Sequence, residues 1–319
     1  MRLRQLDLNG SRKGSVGRHS PKRDRAFGRS RITSRDHHRF DPEQIENPPR
    51  IAFLGPLGSY SHLAATGKFG ASVEYEPVSD IRAAFSEVER GHADFALVPV
   101  ENSIGGGVIE TLDAFINSPV KICAEIRRRI HHNVLARCPL ERIKRLYSKP
   151  EVFSQCQRWL TETGMATRTV PVASSSKAAE MAAAEEHGAA IGSTLASELY
   201  DLPVLLANIE DDPSNTTRFF VLGMASARRS GDDMTAVMFA TSHRSGALVD
   251  VLDVFRTERV NLTMITSRPS RTQNWEYLFF IDAEGHVDDA AMCRAIDGAR
   301  DLCLHFSVLG SFPRARDVD

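Results

Sequence analysis

The run ADFALVPV, residues 93–100, constrains the fold of this chain more than any other segment. A nearly continuous apolar run of this length is typical of a strand in a sheet that is covered on both faces. The shorter run IAFLG, residues 51–55, has the same character, and two helical segments lie between the two runs. Ser59 or Ser61 could cap the first helix. The order strand, helix, helix, strand indicates a domain of the α/β class.

The same alternation continues along the chain and predicts a second lobe. Strand-like segments lie at 121–130, 133–138, 167–173 and 189–193, and helical segments lie at 108–116, 151–163 and 177–187. Pro150 suits the first turn of the helix at 151–163, which Gly164 would end. The pattern predicts a doubly wound α/β body in two lobes over residues 50–224.

Residues 234–313 show a different order of elements. Four strand-like segments and two amphipathic helices alternate as β-α-β-β-α-β, which is the ferredoxin-like unit. The hydrophilic stretch ASARRSGDD, residues 225–233, precedes this unit. Residues 234–313 are therefore predicted to form a separate small domain.

Charge is distributed unevenly along the chain. Residues 1–50 carry 13 Lys and Arg against 6 Asp and Glu, whereas the remainder carries 27 against 35. We therefore expect no nucleic-acid partner for the body of the protein. Residues 1–49 are rich in Arg, Ser, Gly and Pro without periodicity, which predicts disorder. A targeting peptide, a nucleic-acid-binding arm and upstream sequence from a misassigned start are the alternatives.

Membrane and metal sites are not expected. No stretch approaches the ~20 consecutive apolar residues of a membrane helix, and the N-terminus has no apolar signal core, so a cytoplasmic location is predicted. The five cysteines are scattered without a Cys-x-x-Cys pair. His131 and His132 are adjacent, so in a strand they would point to opposite faces. A structural histidine at the joint of the lobes is favoured over a catalytic one.

Polar clusters follow several predicted strands, at 58–61, 101–107, 174–176 and 193–194. Ligands of open α/β sheets bind beyond the carboxyl ends of the strands, and helix N-termini favour anions. The clusters together predict a cleft for a small carboxylate ligand, although each alone is more often a helix cap. The triple glycine at 105–107 lacks the Gly-Lys-Ser/Thr of a phosphate loop, so nucleotide binding is not expected.

The segment SNTTRF, residues 214–219, loads hydrogen-bonding groups onto the start of a strand. Side chains alternate along a strand, so Thr217 and Phe219 share one face while Thr216 and Arg218 share the other. The β-branched Thr217 is stiff at χ1 and would hold its hydroxyl in one direction. From the pattern alone, an edge strand with solvated Thr and Arg is an equal alternative.

Six collinear segments resemble prephenate dehydratase followed by its ACT regulatory domain. The resemblance covers about residues 51–313, through the segments 51–65, 98–113, 147–156, 214–223, 246–252 and 266–282. It implies an α/β fold of two lobes like those of a periplasmic binding protein, plus a ferredoxin-like (βαββαβ) ACT domain. The implied reaction removes carbon dioxide and the ring hydroxyl from prephenate to give phenylpyruvate, with no metal or organic cofactor.

The resemblance implies roles for individual residues. Thr217 stands at the threonine of the family's Asn-x-Thr-Arg-Phe motif, and Asn102 and Gln155 match positions associated with the active site, so these three are the expected catalytic residues. Substrate contacts are expected from the residues Ser148, Ser103, Ser59, Ser175 and Arg218. Lys149 replaces the histidine of the family's Ser-His-Pro motif. Arg218 is equally compatible with a salt bridge that joins the lobes.

The ACT resemblance implies feedback inhibition by L-phenylalanine bound at a subunit interface of a homodimer or homotetramer. The expected effector-binding residues are Gly246, Ala247, Leu248, Asn261, Leu262, Ser267, Arg268 and Pro269. Thr266 replaces the glutamate of the family's Glu-Ser-Arg-Pro motif, and a dimerising ACT domain without ligand is the alternative. For the whole protein, the alternatives are an arogenate dehydratase and a non-catalytic amino-acid sensor.

Overall fold

The computed structural model describes residues 48–269 and 277–315. The first lobe opens with the elements β1 (Arg50–Leu54), α1 (Tyr60–Phe69), β2 (Glu74–Val78), α2 (Ile81–Glu89), β3 (Phe95–Asn102), β4 (Gly106–Gly107), α3 (Ile109–Phe115) and β5 (Lys121–Arg129). Nearly all of the predicted disordered segment 1–49 lies outside the described residues.

The second lobe follows, and the chain then returns to the first. The second lobe contains β6 (Asn133–Ala136), β7 (Arg145–Ser148), α4 (Pro150–Ser154), α5 (Gln157–Glu162), β8 (Thr169–Pro171), α6 (Ser175–Ala183), β9 (Gly188–Gly192), α7 (Thr194–Leu199) and β10 (Val204–Leu206). Two short 3-10 helices lie at Leu140–Arg142 and Met165–Arg168. The returning strand is β11 (Thr216–Gly223).

The remaining elements are β12 (Asp233–Thr241), α8 (Ala247–Thr257), β13 (Leu262–Pro269), β14 (Tyr277–Glu284), α9 (Ala290–Arg300) and β15 (Cys303–Pro313). Their order is the predicted β-α-β-β-α-β, and their sheet has the spatial order β13-β14-β12-β15. The two-lobed α/β class and this order are confirmed. The domain limits 50–224 and 234–313 stay predictions.

Strand β11 lies inside the first sheet, which has the order β2-β1-β3-β11-β5. It pairs antiparallel with β3 on one side and with β5 on the other. The edge-strand alternative for residues 216–220 is therefore wrong. The last six residues of β11, from Arg218 to Gly223, are buried because both faces of the sheet are covered.

The two faces of this sheet have different neighbours. Helix α1 covers the face that carries Phe219, in an apolar cluster with Phe53 and Leu97. The other face packs against α2, α3 and one face of the β12–β15 sheet in a continuous apolar cluster that includes Phe220 and Phe312. Helices α8 and α9 cover the far face of the β12–β15 sheet. The first-lobe sheet and the β12–β15 sheet thus share one core.

Two chain segments that lie side by side join the lobes. Ile130 donates its backbone N–H to the carbonyl of Asn215 at 2.8 Å, and Ile209 donates its N–H to the carbonyl of His132 at 2.9 Å. His131 and His132 therefore lie at the joint, as the sequence predicts. Within the described ranges, no helix is long and apolar enough to cross a membrane.

Candidate active site

Thr217 and Asn102 lie on neighbouring strands, in register with each other. The Asn102 amide nitrogen donates to Thr217 Oγ1 at 2.9 Å and to Asn215 Oδ1 at 2.8 Å. Both Thr217 and Asn102 are half-buried. Because Thr217 Oγ1 accepts the hydrogen bond from Asn102, its own hydrogen remains available for donation to another acceptor.

Backbone groups of the glycine-rich turn fix the orientation of the Asn102 amide. Its Oδ1 accepts the N–H groups of Ile104 at 3.1 Å and Gly105 at 2.8 Å. Since the oxygen is held by two donors, the NH₂ group must face Thr217 and Asn215. Gly106, with φ +78°, allows the chain to turn back and pair with β3 as β4. The triple glycine therefore serves to orient Asn102.

Gln155 belongs to the second lobe and joins the same chain of hydrogen bonds. Its Oε1 accepts from Asn215 Nδ2 at 3.2 Å and lies 2.7 Å from His132 Nε2. His132 Nδ1 in turn lies 2.6 Å from the hydroxyl of Tyr60, on α1 of the first lobe. The structure thus brings the three predicted catalytic residues together, and it adds three that the sequence reasoning did not single out as site residues: Asn215, His132 and Tyr60.

A break in a helix presents Gln155 to this site. The predicted continuous helix at 151–163 is wrong, because α4 ends at Ser154 and α5 begins at Gln157. Asp211 causes the break: its carboxylate accepts the N–H groups of Gln157 and Arg158 at 2.8 and 3.0 Å. The N–H of Asp211 donates to the carbonyl of Gln155 at 2.8 Å.

Burial favours the neutral forms of His132, Tyr60 and Cys156. His132 is 1% exposed, and desolvation lowers its pKa below 6.5. Burial raises the pKa of the Tyr60 hydroxyl well above its usual value of 10. Burial also raises the pKa of the Cys156 thiol to about 12, with smaller contributions from nearby carboxylates. Cys156 is therefore a protonated, packed thiol and not a nucleophile.

The lobes meet at the loop before α1. Gly58, with φ +79°, accepts a hydrogen bond on its carbonyl from Ser193 Oγ at 2.9 Å. Ser176 of α6 donates its hydroxyl to the carbonyl of Leu57. Ser193 also caps α7, with its oxygen 3.1 Å from the N–H of Ala196. Two of the predicted polar clusters thus bind the other lobe and not only their own helices.

Three of the four serines predicted to contact substrate make structural hydrogen bonds, and the fourth, Ser175, is buried. Ser148 is fully buried and donates to the carbonyl of Ile191 at 2.9 Å. Ser59 caps α1, and Ser175 is buried at the start of α6. Ser103 is exposed, and its oxygen accepts the N–H of Thr216 at 2.9 Å. Their substrate contacts stay predictions.

Arg218 lies on the face of β11 away from Thr217. Its guanidinium pairs with Glu125 of β5 at 2.6 Å and with Asp282 of β14 at 2.5 Å. It also stacks over the Phe220 ring at 4.7 Å. The geometry favours a structural role, but the bridge joins the first-lobe sheet to the β12–β15 sheet and does not join the two lobes.

The predicted effector residues fall on two elements. Gly246, with φ +81°, precedes α8, where Ala247 is buried and Leu248 packs on the core shared with Leu262. Asn261 precedes β13, and Ser267, Arg268 and Pro269 end it. Arg268 Nη2 contacts both carboxylate oxygens of Asp113 on α3, at 2.9 and 3.1 Å. A predicted effector residue therefore contacts helix α3 of the first lobe directly.

Among the residues that the structure describes, no three His, Cys, Asp or Glu side chains come together as metal ligands. His131 is paired with Glu210, whose carboxylate lies 2.7 Å from its Nδ1 and also accepts the N–H of His132 at 2.9 Å. The Glu210 carboxylate therefore holds both the His131 ring and the backbone of His132.

The chain is similar to proteins of a known family. A family model described as prephenate dehydratase matches residues 51–227. A bifunctional chorismate mutase/prephenate dehydratase of Stutzerimonas stutzeri is 38% identical over 273 residues, which are 85% of this chain and 75% of the relative.

Two solved structures have a similar fold. The prephenate dehydratase from Arthrobacter aurescens, in complex with L-Phe, is 33% identical with a TM-score of 0.78 and covers 83% of this chain and 90% of its own. A structure described as GqqA, a novel type of quorum quenching acylase, is 28% identical with a TM-score of 0.77 over 83% of this chain and 98% of its own. On the matched domain and the relatives at more than 30% identity, the chain belongs to the prephenate dehydratase family.

Proposed function

We propose that the protein is a carbon–oxygen lyase that converts prephenate to phenylpyruvate in the biosynthesis of L-phenylalanine, with Thr217 as the proton-donating group. The observation that carries the proposal is the hydrogen-bond direction at Thr217. Its oxygen accepts from Asn102 at 2.9 Å, and the Asn102 oxygen is held by two backbone N–H groups. The hydroxyl hydrogen of Thr217 is therefore free to point at a substrate oxygen.

The reaction breaks two bonds of the ring and forms water. The bond between the ring and its carboxylate breaks, the carboxylate leaves as carbon dioxide, and the electron pair of that bond completes the aromatic system. The bond to the ring hydroxyl breaks as well, and this hydroxyl leaves as water with a proton from Thr217, which regains a proton from solvent water. Aromatisation supplies most of the driving force, so the site has to stabilise the departing oxygen. A positioned hydrogen-bond donor of this kind typically contributes about 10²–10³ in rate, by analogy with other active-site donors.

Neutral amides hold the rest of the substrate. Gln155 Oε1 is occupied by Asn215 and lies within hydrogen-bond distance of His132, so its NH₂ group faces the space between the lobes as a donor. Such a donor binds a carbonyl or carboxylate oxygen without adding a charge to the cleft. Thr217 on the first lobe and Gln155 on the second would thus donate hydrogen bonds to the substrate from two sides.

Regulation by L-phenylalanine belongs to the same proposal. The Arthrobacter aurescens structure contains L-Phe, and the predicted effector segments of this chain lie on α8 and β13. Two ion pairs lead from the β12–β15 sheet to the catalytic lobe: Arg268 with Asp113, and Asp282 with Arg218. An effector that changes the position of β13 would reach α3 through the first pair. It would reach β11 through the neighbouring strand β14 and the second pair.

We further propose a cytoplasmic homodimer or homotetramer assembled through residues 234–313. Exposed apolar side chains on these elements, Val249 at 65%, Ile265 at 50% and Leu304 at 63% exposure, supply surface for an interface. Light scattering at several concentrations tests the assembly.

The function is tested by incubating the purified protein with prephenate and with arogenate and following the aromatic products. Turnover that is faster on prephenate and falls at least 100-fold in Thr217→Val is the expected result. Faster turnover on arogenate would make the protein an arogenate dehydratase. Tight binding of prephenate without product would indicate the amino-acid sensor.

The likeness to GqqA raises a second candidate, an acylase. Acyl transfer requires a nucleophile activated by a base. Thr217 Oγ1 has an amide as its partner, His132 is enclosed between Tyr60 and Gln155, and Cys156 is held protonated. The geometry favours dehydration, and release of a fatty acid from an N-acyl substrate at a rate comparable to prephenate turnover would reverse that order.

A further inference from the structure

We propose that Tyr60 and His132 are positioning residues, which hold the amide of Gln155 with its oxygen inward and its NH₂ group toward the cleft. The inference rests on the proposed dehydration and adds two residues to its site. Neither residue needs to touch the substrate.

The ring of His132 has a hydrogen-bond partner at each of its nitrogens. It is 1% exposed and neutral, so one ring nitrogen carries hydrogen and the other accepts. Nδ1 lies 2.6 Å from the Tyr60 hydroxyl, and Nε2 lies 2.7 Å from Gln155 Oε1. An amide oxygen can only accept, so Nε2 carries the hydrogen and Nδ1 accepts from Tyr60. The Tyr60 hydroxyl has one hydrogen and also lies 3.1 Å from the His131 carbonyl, so it donates to the nearer acceptor, Nδ1.

The contacts of its oxygen determine the orientation of the Gln155 amide. Two donors, His132 Nε2 and Asn215 Nδ2, converge on its Oε1. Asn215 is fixed as a donor, because its Oδ1 accepts from Asn102 at 2.8 Å. Turning the Gln155 amide over would set its NH₂ group against that of Asn215 in a buried place, at a cost of about 1–3 kcal/mol, and would force His132 into its Nδ1–H form. The amide therefore has one favoured orientation, which delivers its NH₂ group to the cleft.

Glu210 holds His132 in place. Glu210 accepts the backbone N–H of His132 and lies 2.7 Å from His131 Nδ1, which fixes the chain on both sides of the ring. The groups that face the ring are the Tyr60 hydroxyl, Gln155, and the charged or titratable Glu210 and His131. Tyr60 lies on the first lobe and Gln155 on the second, so the orientation of Gln155 depends on contact between the lobes.

The proposal is tested with Tyr60→Phe, His132→Leu and His132→Gln. Tyr60→Phe removes a single oxygen atom, and we expect kcat to fall 5- to 20-fold with little change in KM. His132→Leu removes the donor to Gln155, and we expect kcat to fall about 100-fold. In His132→Gln the side-chain NH₂ group replaces Nε2–H, and we expect recovery to within 10-fold of the parent.

Tyr75→Phe is the matched control. The Tyr75 hydroxyl also hydrogen-bonds within the first lobe, to the carbonyl of Gly70 at 2.5 Å, but it has no part in the chain that leads to Gln155. Its loss should leave kcat unchanged. Melting temperatures of all variants separate a folding defect from a kinetic one, and Tyr60→Phe keeps the test valid if His132→Leu does not fold.

Two further measurements distinguish positioning from general support. If His132 acts through Gln155, then His132→Gln and Tyr60→Phe should have no further effect on kcat in a Gln155→Leu background. Nitrogen NMR of histidine-labelled protein should show the Nε2–H form of His132, with a mixture of forms in Tyr60→Phe. Multiplying effects in the double variants, or an Nδ1–H form in the parent, would overturn the proposal. Absence of prephenate turnover by the parent protein would instead refute the function itself.

Discussion

Thr217 and Arg218 are neighbours on β11, yet their side chains serve opposite faces of one sheet. Thr217 Oγ1 lies 2.9 Å from Asn102 at the joint of the lobes, whereas Arg218 lies 2.5 Å from Asp282 on the β12–β15 sheet. The alternation of a strand produces this arrangement directly. A shift of β11 would therefore move the proposed catalytic hydroxyl and change the contact with the β12–β15 sheet at the same time.

The direction of the hydrogen bond at Thr217 predicts the effect of Asn102→Asp. A carboxylate oxygen would replace the NH₂ group that now faces Thr217, so the Thr217 hydroxyl would donate to this carboxylate and not to the substrate. We expect kcat to fall at least 100-fold and to recover partly at acid pH, where a protonated carboxyl can again donate. Initial rates between pH 4.5 and 8 check this. Ser154→Ala is the control, because its exposed hydroxyl only contacts its own helix. A loss that does not depend on pH would count against this account.

Sequence patterns predicted this fold well where periodicity determines structure. The buried run at 93–100 became β3, and alternation placed Thr217 and Arg218 on opposite faces. The break between α4 and α5 was not predictable, because residues 151–163 have helical character and the carboxylate that interrupts them, Asp211, lies more than 50 positions away.

The histidine at the joint shows a second limit. The sequence predicts that His132 lies there, but its bonds to Tyr60 and Gln155 depend on how two lobes close, which local pattern does not encode. Asn215 was within reach of sequence reasoning, since it opens the motif that contains Thr217. Its hydrogen bonds to both Asn102 and Gln155 require the tertiary structure.

Two buried histidines predict a loss of stability at mildly acid pH. Burial lowers the pKa of His62 and of His132 below 6.5. The unfolded chain therefore binds more protons than the folded one as pH falls through 6.5, so the free energy of unfolding decreases by up to about 1.4 kcal/mol per pH unit for each group. The slope should extend from about pH 6.5 down to the folded-state pKa values, and carboxylates contribute mainly below about pH 5.

Urea unfolding at half-unit pH steps measures this slope, and His62→Asn tests its origin. His62 Nδ1 accepts the N–H of Gly58 at 3.1 Å, and an asparagine oxygen can accept in its place without titrating. We expect His62→Asn to be less stable than the parent at pH 7, because it loses the stacking of the ring on Phe53, but to have a shallower slope below pH 6.5. An unchanged slope would assign the acid sensitivity to other groups.

The buried bridge of Arg218 predicts a large stability change in Arg218→Met. The side chains of Glu125 and Asp282 are at most 2% exposed, and the substitution removes the cation that they share. Glu125 keeps the more distant cation of Arg127, at 3.7 Å. Breaking a buried pair in this way typically costs about 3–5 kcal/mol. Arg256→Met, which breaks an exposed pair with Asp253, should change the free energy of unfolding by less than about 0.5 kcal/mol. Equal effects of the two substitutions in urea unfolding would contradict the assigned burial.

The contact between Arg268 and Asp113 predicts a variant with altered regulation. In Asp113→Asn the pair loses its charge attraction, while the residues at Thr217 and Gln155 stay in place. If this contact carries the proposed phenylalanine signal, the inhibitor concentration for half-maximal effect should rise at least threefold with kcat nearly unchanged. Rates at increasing L-phenylalanine, with calorimetry of its binding, measure both quantities. Unchanged inhibition would show that the contact between Arg268 and Asp113 does not carry the phenylalanine signal, which would leave the Arg218–Asp282 ion pair as its route.

Contact between the lobes at Gly58 predicts a kinetic effect of Gly58→Ala. Gly58 has φ +79°, and an added Cβ would lie 3.2 Å from Ser176 Oγ and 3.3 Å from a methyl group of Leu199, so both backbone strain and a clash with the second lobe result. Gly91→Ala is the matched control, because Gly91 has φ +70° with open space around its missing Cβ. Both substitutions should cost about 1–2 kcal/mol of stability from the left-handed backbone. Only Gly58→Ala should also lower kcat/KM, by about 10-fold or more, because it holds apart the lobes that carry Thr217 and Gln155. Parallel urea unfolding and initial-rate measurements separate the two effects, and an equal loss of activity in Gly91→Ala would show that stability alone limits the rate.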